Sequence, residues 1–149
     1  MATYRSILIP TDGSRLSLKA VKEAASLAKG LKATLKAIYV MPTWLPPMMV
    51  EGTGLPAEAF DERAFNVATE ATARAALDKV RAKARAARVA CEPVAVRDAA
   101  PWKGIVKASR DCDLIVMASH GRTGIGALVL GSETRKVLSY ATKPVLVCH

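Results

Sequence analysis

Leu114-Ile115-Val116-Met117-Ala118, then Ser119-His120-Gly121-Arg122-Thr123-Gly124-Ile125-Gly126-Ala127-Leu128-Val129-Leu130, then Gly131-Ser132: the fold turns on these three consecutive pieces. The first is apolar at every position, without alternation, which reads as a strand covered on both faces, as parallel sheets require. The second is a glycine-rich loop. The third marks a helix start, with Ser132 able to cap a helix running to about Tyr140. Strand, glycine-rich loop and helix N-terminus together expose backbone amides and a partial positive charge, a combination suited to an anion such as phosphate. From the chemistry of the residues alone, Ser132 serves equally well as a phosphate donor or as a plain cap. The loop is not a Walker A motif, since it has no Gly-Lys-Ser/Thr. Nor is it the dinucleotide fingerprint: Gly124-x-Gly126 is followed by Val129 where the third glycine belongs, and the loop follows the fourth strand, not the first.

Outward from this stretch the chain alternates strands and helices. Pro144-Val145-Leu146-Val147 reads as a last strand, Pro101 to Arg110 as a short helix with proline in its first turn, and Val89 to Val96 as a third strand. From about Ala57 to Arg88 the sequence is helical. Ala73, Leu77, Val80, Ala84 and Ala87 form its core stripe, and Arg74, Arg81, Arg85 and Arg88 a solvated face. Met41 to Pro56 holds too many prolines and glycines for a regular element, and its Trp44, Leu45, Met48 and Met49 suggest a mobile flap or a contact surface. Thr34 to Val40 is a second strand. Before it, Ser14 caps a helix with Val21, Ala24, Ala25 and Ala28 on one face, closed by Gly30. Ser6-Ile7-Leu8-Ile9 opens the fold and runs into Pro10-Thr11-Asp12.

The expected architecture is therefore α/β: one domain over residues 1–149, an open, doubly wound, five-stranded parallel sheet with helices on both faces. In such sheets ligands sit beyond the carboxyl ends of the strands where strand order reverses. Strands one and four end in the two most unusual loops of the chain.

The 149 residues are 51% apolar and 23% charged, an ordinary globular composition that excludes whole-chain disorder. No run approaches the roughly 20 apolar residues a bilayer demands, and no signal peptide is visible, so a cytoplasmic protein is expected. Cys91, Cys112 and Cys148 are odd in number and far apart, which argues for buried free thiols and against a disulfide framework or a zinc site. A net charge of +9 favours anionic partners without naming one.

Ala118-x2-Gly121-x9-Gly131-Ser132 resembles the Gly-x2-Gly-x9-Gly-Ser/Thr pattern of the ATP-binding universal stress proteins, departing only at its first place. Ile7-Leu8-Ile9-Pro10-Thr11-Asp12-Gly13-Ser14 and Lys143-Pro144-Val145-Leu146-Val147 are similar to that family's two ends. The resemblance spans essentially the whole chain. It implies that Pro10, Thr11 and Asp12 line the adenine and ribose side, that Val40 meets adenine through its backbone, and that Met117 and Ala118 meet the ribose. It implies further that Gly121, Gly131, Ser132 and Glu133 meet the phosphates of ATP, with any Mg2+ carried by those phosphates. A side chain at Gly131 would intrude on the phosphates or force an unfavourable backbone angle. Ala118 in place of glycine matters little if its φ is negative. Glu133 would repel phosphate unless it points to solvent. Pairing of two copies through the last strand is also implied.

Asp12 invites a metal-binding or phosphoryl-accepting role, against which ribose binding or a helix-start cap is the plainer reading. His120 lacks a titratable partner fixed by sequence and reads as a loop histidine touching phosphate or solvent, not as a base. His149, the last residue, reads as inert. Trp44 and Trp102 read as packing residues. A nucleotide-dependent regulatory or stress-response module leads, with slow hydrolysis left open. A hydrolase or adenylating enzyme on the same scaffold is the alternative. A phosphorylated receiver is rejected: only Asp12 follows strand one, and Lys143 precedes the last strand instead of ending it. A nucleic-acid binder rests on charge alone.

Overall fold

The computed structural model describes residues 4–46, 48, 52–54, 60–120 and 129–149. Its elements are β1 (Ser6–Pro10), α1 (Arg15–Leu31), β2 (Thr34–Met41), α2 (Glu62–Ala86), β3 (Cys91–Arg97), α3 (Pro101–Ala108), β4 (Leu114–Ala118), α4 (Ser132–Tyr140) and β5 (Val145–Cys148), with a single turn of 3-10 helix, Ser109–Asp111, after α3. The five strands are parallel in the order β3-β2-β1-β4-β5. The chain winds from β1 outward through β2 and β3, then returns to lay β4 on the other side of β1. The strand order reverses between β1 and β4, as expected.

Side-chain alternation divides the sheet into two cores. Ile7, Ile9, Leu35, Ala37, Leu114 and Val116 face α1 and α2, where they meet Val21, Ala24, Ala28, Ala73, Leu77, Val80 and Ala84. Leu8, Ile38, Ile115 and Met117 face α3 and α4, where they meet Ile105 and Val137. The central strands are thus buried on both faces, which is why their sequences do not alternate. Helices cover both faces.

Several boundaries differ from the sequence reading. Gly30 does not close α1. The helix runs through it, and Lys32 takes the left-handed position at φ 56°. The Ala33 amide then folds back onto the Ala28 carbonyl (2.8 Å), and Ala33 is buried in the core. That apolar anchor fixes the end of the helix and outweighs the cost of a left-handed lysine. α2 begins at Glu62, later than expected, because the Asp61 carboxylate accepts from the Ala64 amide (3.0 Å) and caps it there. The strand expected from Val89 starts at Cys91 and is not buried on both faces. It is a sheet edge with Glu92, Pro93 and Ala95 exposed, a place where a proline costs no ladder bond on the outer side. Likewise only Cys112 is fully buried; Cys91 and Cys148, on the two edge strands, are half-buried, and burial pushes both thiols up.

Met41, assigned to the irregular stretch by sequence, is the buried end of β2. Arg97 holds the chain just beyond it, donating to the Pro42 carbonyl (3.1 Å) and to Thr69 Oγ1 (3.0 Å) on α2. Of the proposed flap, Pro47, Met49 to Glu51, Leu55 and Pro56 lie outside the described residues. Trp102 packs as expected, stacked on Tyr140 with ring centroids 4.6 Å apart. The arginine face of α2 is exposed along its length.

At the opposite end of the sheet from the β1 and β4 loops, one carboxylate ties the two central strands together. Asp113 accepts from the Arg5 amide (2.9 Å) and the Ser6 amide (3.0 Å), and these two bonds hold its carboxyl below its ordinary value.

Candidate functional site

Beyond the carboxyl ends of β1 and β4 the structure opens a cleft of about 320 Å³, within the range of roughly 300–1,000 Å³ usual for small-molecule sites. The loops after β1 and β4, the end of β2 and two helix N-termini frame it. The first loop leaves β1 at Pro10. The Thr11 amide donates to the Ile38 carbonyl (2.9 Å), and the Thr11 hydroxyl accepts from the Gly13 amide (3.1 Å) and pairs with Ser17 Oγ (3.0 Å). Gly13 turns the chain at φ 80°, with Ala76 of α2 close enough that a Cβ there would lie 3.3 Å from it. The Asp12 carboxylate accepts from the Ser14 amide (2.9 Å), so a helix-start role stands beside its place on the cleft wall. Ser14 caps α1 by accepting from the Ser17 amide (3.2 Å).

The opposite wall belongs to β4 and α4. The Ser119 amide donates to the Cys148 carbonyl (2.8 Å), and the Ser119 carbonyl in turn accepts from the Gly131 amide (2.8 Å). This chain of bonds seats the N-terminus of α4 directly over the end of β4. Thr134, buried in the first turn of α4, adds a hydroxyl bond to the Ala118 carbonyl (3.0 Å). Among the described residues no side chain caps this helix, and the amides of its first turn, beginning at Ser132, have no partner within it. They are the groups an anion would meet.

Nine of the ten residues implied by resemblance line this one cleft: Pro10, Thr11, Asp12, Val40, Met117, Ala118, Gly131, Ser132 and Glu133. The tenth, Gly121, lies outside the described residues, as does the rest of the loop from 121 to 128. Ala118 sits in a strand without positive φ, so its methyl carries no backbone strain. Two expectations change. Gly131 adopts φ −59°, ψ 153°, a conformation open to any residue, so no unfavourable backbone angle is at stake there. The Glu133 side chain stays 37% exposed, but its carboxylate is held toward α3. Oε2 accepts from the Trp102 amide (2.8 Å), and Oε1 lies 3.6 Å from Lys136 Nζ. The reason is local: Ala100, at the start of α3, has no capping side chain, and Glu133 supplies the missing acceptor from α4.

The structure adds Ser17, Ile38, Tyr39, Pro101, Ile105, His120 and Thr134 to the lining. Ile38 was legible in principle, since it shares a strand face with Val40. His120 is buried, with Nδ1 3.0 Å from Ser119 Oγ and Nε2 without a hydrogen-bond partner among the described residues. Gly104 was missed, and it decides how closely α3 approaches. A Cβ at that position would lie 2.8 Å from Val40 Cγ2 and 3.1 Å from Val40 Cγ1. Only glycine lets the helix rest on β2 at the edge of the cleft. Among the described residues no group of three His, Cys, Asp or Glu side chains is placed to hold a metal ion, and no helix is long and apolar enough to cross a membrane.

The chain was compared with known families, sequences and structures. The model of the universal stress protein family matches residues 3–149. A universal stress protein of Methanocaldococcus jannaschii is 37% identical over 146 residues, covering 97% of this chain and 81% of that protein. The universal stress protein UspA of Lactobacillus plantarum superposes with a TM-score of 0.78 over 100% of both chains at 23% identity. A universal stress protein solved in complex with cAMP superposes with a TM-score of 0.70 at 24% identity, over 99% of this chain and 98% of that one. At these identities the two structures speak for the fold alone.

Proposed function

Since the chain belongs to the universal stress protein family, we propose that its cleft binds an adenine nucleotide, ATP included, and that the protein is a nucleotide-dependent regulatory or stress-response module. The observation that carries this reading is the convergence on one cleft of Thr11, Asp12 and Val40 on one side and the uncapped N-terminus of α4 on the other. The first wall offers an apolar slot beside polar groups suited to a base and its sugar. The second offers backbone amides and the positive end of a helix for a phosphate. The cAMP complex of a structural relative supports an adenine ligand in this fold. Mg2+ would arrive on the phosphates.

Protein purified without added ligand is expected to release adenine nucleotide on acid treatment, identified by ultraviolet absorbance and mass spectrometry. Calorimetry on the stripped protein should then show binding of AMP and of ATP with Mg2+. A stripped protein that binds neither these nor adenosine would overturn the reading.

We further propose that two copies pair through β5. It is an edge strand, and Leu146 on it is 44% exposed. An apolar edge with unpaired backbone groups is stabilised by a second strand. Light scattering at tens of micromolar, an order-of-magnitude choice well above ordinary dimer constants, tests this: a pure monomer would rule it out.

A further inference from the structure

Two helices begin at the cleft. Pro101 opens α3 and Ser132 opens α4, and both line it. Each N-terminus is a place where backbone amides favour negative charge. One of the two already has an acceptor, because the Trp102 amide at the start of α3 donates to the Glu133 carboxylate at 2.8 Å. That leaves the start of α4 for a ligand's anion, and Glu133 stands immediately beside it, one residue past Ser132. The carboxylate is fixed by two partners and is itself part of the cleft wall. Lys136, its ionic partner, is half exposed and Glu133 itself is 37% exposed, so the pair and the solvent offset its charge only in part. Across the cleft stands a second carboxylate, Asp12.

We propose that Glu133 sets how many phosphates this cleft accepts, favouring adenine ligands with a single phosphate and the Mg2+ complex of ATP over free ATP. The proposal rests on the nucleotide reading above and deepens it. One phosphate at the α4 amides gains hydrogen bonds and the helix field. Each further phosphate brings added negative charge to a wall that already holds a fixed carboxylate, and like charges sharing one cleft repel. Mg2+ on the phosphates removes most of that charge and with it most of the penalty. The Glu133 side chain therefore does two things at once: it anchors α3, and it discounts every phosphate beyond the first.

The two roles separate in Glu133→Gln. The amide oxygen can still accept from the Trp102 amide, while the charge is gone. Calorimetry with adenosine, AMP and ATP, the last with and without Mg2+, gives the test. Glu133→Gln is expected to raise the ratio of free-ATP to adenosine affinity on the order of ten-fold, and the AMP to adenosine ratio on the order of three-fold. The gain for Mg2+-loaded ATP should be smaller than for free ATP. Unchanged ratios in a Glu133→Gln protein that still binds nucleotide would overturn the role of Glu133 alone. A parent protein that binds no adenine ligand would overturn the nucleotide reading and this inference with it. Glu133→Ala, which loses both the charge and the anchor, is expected to show the same change in ratio together with a lower melting temperature. A lower melting temperature with no change in ratio would mean that Glu133 acts only as the cap of α3.

Discussion

Gly131→Val is expected to abolish measurable ATP binding in a protein that still folds. The fold is expected to survive because the backbone angle at Gly131 does not require glycine. Its φ of −59° and ψ of 153° suit valine, and its two backbone bonds, the amide to the Ser119 carbonyl and the carbonyl to the Arg135 amide (3.0 Å), involve no side chain. The site does not survive, because Gly131 lines the cleft at the foot of the α4 amides. An isopropyl group there occupies the volume a phosphate needs. Ser132→Ala is the milder companion. It removes a hydroxyl and leaves the amides, so one hydrogen bond to a charged group is lost, about 1.5–3 kcal/mol or roughly ten- to a hundred-fold in affinity. Adenosine, having no phosphate, should respond far less to Ser132→Ala. Circular dichroism establishes folding and calorimetry reads affinity. A folded Gly131→Val protein that binds ATP like the parent would show that phosphates do not sit at the start of α4.

Gly104→Ala is expected to destabilise the whole domain, although alanine is the better helix former. In an open helix position the exchange would gain about 1 kcal/mol. Here the added methyl meets the Val40 side chain at 2.8 and 3.1 Å, with Val96 Cγ2 at 3.4 Å. Val40 is β-branched and stiff at χ1, so it admits the methyl only by leaving its rotamer toward the cleft or by letting α3 lift off β2. Overpacking of this kind costs about 1–3 kcal/mol and outweighs the propensity gain. Gly104→Leu should lie at or beyond the top of that range, lowering the melting temperature by about 2–4 °C for each kcal/mol in a domain of this size. The cause can be isolated with Val40→Ala. If the clash is the source, the double variant Gly104→Ala, Val40→Ala recovers part of the loss, and the two changes are not additive. A Gly104→Ala protein that melts at or above the parent would show that α3 can shift away from β2 freely.

These two glycines also mark what the sequence could and could not convey. Gly131 was legible because its neighbours are: an apolar strand before it, a helix start after it. The strands β1 and β4, and β2 from Ala37 onward, were legible for the same local reason, since a segment buried on both faces is apolar almost throughout. β3 was read as one more strand of that kind, yet Glu92 and Pro93 in its middle are the residues of a sheet edge, a signal present in the sequence and underweighted. Gly104 looked like a mild weakness in a short helix. Its meaning lies in Val40, on a different element, and no local pattern connects the two. The Glu133 contact is hidden in the same way, because its partner Trp102 is 31 positions away and offers only a backbone amide. Any residue at 102 other than proline would present that amide, so the side-chain sequence carries no trace of it. Lys32 in the left-handed position is a further case: Ala33 must reach the core, and that need, not the lysine, fixes the turn.

The Asp113 bonds to the amides of Arg5 and Ser6 have a consequence for the order in which the molecule can assemble. They join positions up to 108 apart, at the same seam where β4 pairs with β1. A chain emerging from the ribosome can lay β2 on β1 and β3 on β2 long before β4 exists. At that stage it already carries Thr11, Asp12 and Val40, but only one wall of the cleft. Closing the seam is a long-range event with a correspondingly large entropic cost, and the second wall forms only with it. A ligand that needs both walls has nothing to hold until this last closure. Its binding energy then adds to the barrier for reopening the seam and does little to hasten the folding that precedes it. For this topology, occupancy of the cleft is a lock on the finished molecule and not a template for making it.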